Sequence, residues 1–91
     1  MSLEAYLNHP TFGLLLMVCT LEDRRELFTT LYAQRLFFLV RHLDTGLTFD
    51  PVTRGDARSL VESRIRHLRR QGDRDSLARL QEVYQRTFHF H

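Results

Sequence analysis

Ninety-one residues carrying a formal charge of +2 make one small domain, or a module with an appendage, whose core is too thin to enclose a deep substrate cleft. The apolar and charged fractions, 43% and 26%, are those of a soluble globular chain. The longest apolar run, Leu14 to Cys19, is far shorter than the ~18 residues a membrane span requires.

The chain starts Met1-Ser2-Leu3-Glu4, which is acidic and lacks the basic region of a secretory signal. Leu14 to Cys19 then reads as a strand, bounded by Gly13 and by the charged Glu22-Asp23-Arg24-Arg25 turn. Cys19 is the single cysteine, so no internal disulfide forms; a buried structural thiol in a reducing, cytoplasmic compartment is expected. Leu27 to Tyr32 alternates in two sets, Leu27, Thr29 and Leu31 against Phe28, Thr30 and Tyr32. Leu36 to Val40 is a third run, His42 to Gly46 a hairpin loop, and Leu47-Thr48-Phe49 a further strand that Pro51 ends or confines to an edge. Short strands with tight connections predict a small, bent antiparallel sheet of the SH3 or Tudor kind.

After Pro51 the period changes. Thr53-Arg54-Gly55-Asp56 has the pattern of a capping box, and Ala57, Leu60, Val61, Arg64, Ile65 and Leu68 recur at helical spacing. Gly72 suits the residue just past a helix end, and Asp73 to Ser76 offers a new start. Leu77, Leu80, Tyr84 and Phe88 form a second stripe with Val83 beside it, which completes a helical hairpin. The expected architecture is therefore α+β, with a β domain over 1–53 and a helical hairpin over 54–91 that packs on it or extends from it.

All thirteen basic residues are arginine. Residues 1–53 hold four of them against six acids, and residues 54–91 hold nine against five. The second half is thus the one to attract acidic partners, and Arg64 to Arg70 is the best case for nucleic acid. Against it stand three acid-first helix pairs, Glu62 with Arg66, Asp75 with Arg79 and Glu82 with Arg86, which describe a solvated face instead. No catalytic, metal or cofactor site is expected. His9, His42, His67, His89 and His91 do not converge, structural zinc needs four ligands, and all four glycines sit at element boundaries rather than in a phosphate loop. Tyr32, Gln34, Arg35, Leu36, Phe37, Phe38 and Leu39 crowd aromatic, guanidinium and amide groups together, as protein-binding surfaces do. From residue types alone, a partner-binding face and a helix-docking face are equally supported there.

Four segments carry a resemblance: Tyr6-Leu7-Asn8-His9-Pro10-Thr11-Phe12-Gly13-Leu14-Leu15, the run Glu26 to Val40, the set Asp56-Ala57-Arg58, Leu60-Val61-Glu62, Arg64 and Leu68-Arg69-Arg70, and Gln85-Arg86-Thr87-Phe88. They resemble PipX, the PII-interacting protein X of cyanobacteria, over nearly the whole chain. The resemblance implies a Tudor-like sheet with two C-terminal helices in a non-enzymatic adaptor. It implies exchange between the PII trimer, when 2-oxoglutarate is scarce, and the NtcA dimer, a transcription activator, when it is abundant. DNA is then met only through NtcA, and the chain takes no small-molecule ligand, cofactor or membrane itself. By position, the protein-binding residues would be Glu4, Tyr6, Phe12, Tyr32, Gln34, Arg35, Leu36 and Phe38. Leu16-Met17 departs from the family's aromatic–polar pair, and Phe88-His89-Phe90-His91 is an unusual ending expected to fray. The rival reading is an Arg-rich nucleic-acid-binding module built on the basic helices.

Overall fold

The computed structural model describes residues 6–22, 24–30 and 36–88. The chain divides into two compact units, Met1–Arg54 and Gly55–His91. The first is a sheet of five antiparallel strands in sequence order: β1 (Tyr6–His9), β2 (Gly13–Thr20), β3 (Arg25–Thr30), β4 (Phe37–Leu43) and β5 (Gly46–Val52). The second holds two helices, α1 (Arg54–Gln71) and α2 (Arg74–Phe88). The α+β class and the bent antiparallel sheet followed by two helices are as the sequence predicts.

The sheet curls into a half-barrel. Its edge strands β1 and β5 are far apart in strand order, yet the His9 and Phe49 rings meet edge to face at 5.1 Å. Leu15, Phe28, Phe38 and Val40 form the core on the concave side, with Leu7, Met17 and Phe49 packed against them. The opposite face is buried as well at Leu27, Thr29 and Phe37. With apolar residues required on both faces, the strands show no clean apolar–polar alternation.

Part of the curl comes from an irregularity in β2. Met17 pairs with Phe28 and Cys19 with Leu27, which leaves Val18 as an extra residue. Such a bulge bends its strand and resets the alternation. Cys19 therefore lies on the side of Leu27 rather than that of Met17, and is buried there as a free thiol. Two features were not foreseen: the β1 strand, and a β4 that runs on to Leu43. In the β4–β5 hairpin neither Asp44 nor Thr45 has positive φ, and the left-handed step falls on Gly46 at φ 128°. This matches a type I turn completed by glycine.

Helix α1 starts directly after Thr53 and carries Asp56 in its first turn. It ends in a Schellman arrangement: Asp73 N donates to Leu68 O at 3.2 Å, Gly72 N donates to Arg69 O at 3.3 Å, and Gly72 has φ 76°. Asp73 then caps α2, its Oδ1 accepting from Ser76 N at 3.2 Å. That bond is the main reason its carboxyl is held below the ordinary aspartate value.

Candidate functional site

Antiparallel pairing brings the first candidates to one rim of the sheet. Leu7 pairs with Leu15 and Leu15 with Thr30. Thr30 N in turn donates to Leu36 O at 3.1 Å. The β1–β2 turn and the ends of β3 and β4 thus share this rim. Leu36 is held there twice more, by Thr29 Oγ1 donating to its carbonyl at 2.9 Å and by its own N–H donating to Thr30 Oγ1 at 3.4 Å.

Tyr6, Phe12 and Leu36 are 44%, 46% and 43% exposed, and the other large exposed apolar side chains among the described residues are Leu43 and Leu47. Phe38, at 4%, is a core residue whose ring lies 5.5 Å from that of Phe12. It can support a partner contact from beneath rather than make one. Tyr6 belongs to the β1 face that pairs beside Leu16, whereas Phe12 sits on the concave side with His9 and Phe38. These candidates share a rim, then, and not a single face. Glu4, Tyr32, Gln34, Arg35 and the 89–91 tail lie outside the described residues.

His9, which the sequence shows only as one of five histidines that do not converge, organises the β1–β2 turn. His9 Nδ1 accepts from Thr11 N at 3.0 Å and from Phe12 N at 3.2 Å. A ring nitrogen that accepts carries no proton, so it is Nδ1 that serves the turn as acceptor. The signal available was a side-chain acceptor just before a Pro-x-x-Gly turn with two inward N–H groups.

At the opposite rim His42 Nε2 and Glu26 Oε1 stand 2.6 Å apart, beneath the hairpin that exposes Leu43 and Leu47.

In the helical unit, Tyr84 of α2 reaches across to α1. Its hydroxyl donates to Glu62 Oε2 at 2.5 Å and accepts from Arg58 Nε at 3.0 Å, while the Arg58 guanidinium lies 5.9 Å from its ring centre. Tyr84 is the leading cause by which Glu62 is held below the ordinary glutamate value and Arg58 is raised. This corrects the expected pairing. Glu62 forms its close ion pair with Arg58 at 3.5 Å, and Arg66 adds a weaker attraction from farther off, because the hydroxyl draws the carboxylate toward α2. Asp75–Arg79 and Glu82–Arg86 also form no ion pair within 4 Å among the described residues. Arg66 and Arg69 border an open groove between the helices, with Ile65, Gln81, Tyr84 and Gln85.

Among the described residues no three His, Cys, Asp or Glu side chains are grouped to hold a metal, and no helix is long and apolar enough to cross a membrane. The family model for PipX, PII-interacting protein X, matches residues 3–88. The chain belongs to this family. That match covers both the sheet and the helical pair, so both units are part of what the family shares. A search of curated proteins finds no match. Membership makes the chain one of a PII-interacting family, which is a regulatory family and not a known enzyme family.

Proposed function

We propose that this protein is a cytoplasmic, non-enzymatic adaptor and transcriptional co-activator in cyanobacterial nitrogen signalling. It binds the PII trimer when 2-oxoglutarate is scarce and the NtcA dimer when it is abundant. The metabolite acts on the partners, and DNA is reached only through NtcA. The observation that carries the reading is the family match across residues 3–88. The exposed side chains support it, because Tyr6, Phe12 and Leu36 stand at positions the family resemblance marks for partner contact. Together with Glu4, Tyr32, Gln34 and Arg35, and with Phe38 as backing, they make up the proposed protein-binding surface. Incubating the purified chain with PII, with and without 2-oxoglutarate, tests this directly. Co-elution without the metabolite and release with it are expected, with NtcA showing the reverse. Failure to bind PII under either condition overturns the reading.

A second reading has one observation in its favour. Arg66 and Arg69 are exposed along one groove of the helical pair and form no ion pair within 4 Å among the described residues, although Glu62 lines the same groove and feels the Arg66 charge. A binder that used them on phosphates would lose affinity steeply with salt, about 10³-fold or more between 50 and 200 mM for six or more contacts. The adaptor reading expects no measurable duplex binding by the isolated chain at physiological salt. A sub-micromolar midpoint in a gel-shift titration would reverse the ranking.

A further inference from the structure

Phe12 occupies a turn and is 46% exposed, yet both its amide and its ring have partners. His9 touches it in two independent ways. His9 Nδ1 accepts the Phe12 N–H at 3.2 Å, and the two rings lie 5.0 Å apart at 41°. The same nitrogen accepts the Thr11 N–H at 3.0 Å, so both inward amides of the turn converge on one acceptor. His9 is itself held on two sides. Its ring stacks on Phe38 at 5.4 Å and 23°, and meets Phe49 edge-on at 5.1 Å and 84°. Asparagine or aspartate at such a position could accept the amides but would bring no ring to the stack. Phenylalanine would give the ring without the acceptor.

We propose that His9 is a positioning residue for partner binding, fixing the turn and ring of Phe12 so that an exposed aromatic anchor is presented already ordered. This rests on the reading of the Phe12 rim as part of the PII-binding surface. Ordering the turn and its ring before the encounter removes that cost from association, which corresponds to roughly threefold to tenfold in affinity. His9 need not touch the partner; it acts through Phe12.

A double-mutant cycle on the full chain, read by calorimetric titration with purified trimeric PII, tests the inference. His9→Phe keeps the ring packing and removes the acceptor; Phe12→Ala removes the anchor. Substituting His9 alone should weaken PII binding roughly threefold to tenfold, with little change in melting temperature. In the Phe12→Ala background it should change nothing further. Amide hydrogen exchange at Thr11 and Phe12 should quicken in His9→Phe. Should that variant fold poorly, His9→Leu, which likewise carries no acceptor, serves in the same cycle.

The inference is overturned if His9→Phe binds as the unmodified chain does while Phe12→Ala is weakened; the site reading then survives. Equal loss in both backgrounds also overturns it, because a merely structural histidine would act without Phe12. Undiminished binding by Phe12→Ala overturns the inference together with the assignment of this rim. Absence of PII binding by the unmodified chain overturns it along with the functional reading.

Discussion

Gly46 and Phe12 show two ways in which one residue matters. At Gly46 the constraint is in the backbone. A Cβ would meet nothing within 4 Å, so space is ample, but φ is 128°, where side-chain-bearing residues are strained. Gly46→Ala should therefore cost about 1–2 kcal/mol in stability, read from urea unfolding, with partner binding per folded molecule unchanged. An unaltered unfolding midpoint would mean that the hairpin can shift to another turn at no cost. At Phe12 the constraint is in the side chain, whose ring leans on His9 and Phe38 while much of it stays open to a partner. The sequence makes glycine at 46 legible as a hairpin residue. It does not show that the histidine before Pro10 is the acceptor for the turn, because that depends on the ring being held by Phe38 and Phe49 from distant strands.

At the scale of elements, the helical pair is joined by polar groups that titrate. Tyr84 holds the Glu62 carboxyl below its ordinary value, and the Ser76 amide does the same for Asp73 at the α2 cap. Carboxyls lowered by folding lend stability that is complete above the ordinary carboxylate range. That stability is lost as the pH falls through their lowered values. Helical signal should thus hold at neutral pH and decline only in acid. In a carbon-detected NMR titration Glu62 should titrate below an ordinary glutamate, and Tyr84→Phe should move it upward; an unmoved midpoint would remove Tyr84 as the cause. The helices were readable because Thr53, Gly72 and Asp73 are punctuation with a local mechanism. The strands were readable less well. Tyr6–His9 is a short edge strand with half its residues exposed, and the Val18 bulge is defined by pairing with β3, which the β2 residues alone do not show. Spacing does not show that Glu62 pairs most closely with Arg58, since sequence distance along α1 says nothing of a hydroxyl arriving from α2.

At the scale of the whole molecule, the two units differ in charge, and the arginines do not simply follow that division: Arg35 belongs to the acidic first half, in the run that carries the strongest family resemblance. On either side of 31–35, Thr29 and Thr30 bind Leu36 through its carbonyl and its amide, which ties β3 to Leu36 at the rim of the sheet. A tyrosine there would supply a rigid ring and one hydroxyl, and an arginine five donors, a pair suited to a partner surface rich in carbonyls and carboxylates. We expect Tyr32→Ala and Arg35→Ala each to cost roughly 2 kcal/mol or more in binding, about thirtyfold. On the proposed function, in which PII and NtcA use overlapping surfaces, binding of both should fall together. Thermal melting measured beside both affinities separates the alternatives left open by residue type. If the tyrosine is an interface anchor, Tyr32→Ala should stay within about ±0.5 kcal/mol of the parent in stability. If it serves instead to dock a helix, the melting temperature should drop and binding should weaken only through unfolding. A folded double variant, Tyr32→Ala with Arg35→Ala, that still bound both partners at full strength would remove these two residues from the surface.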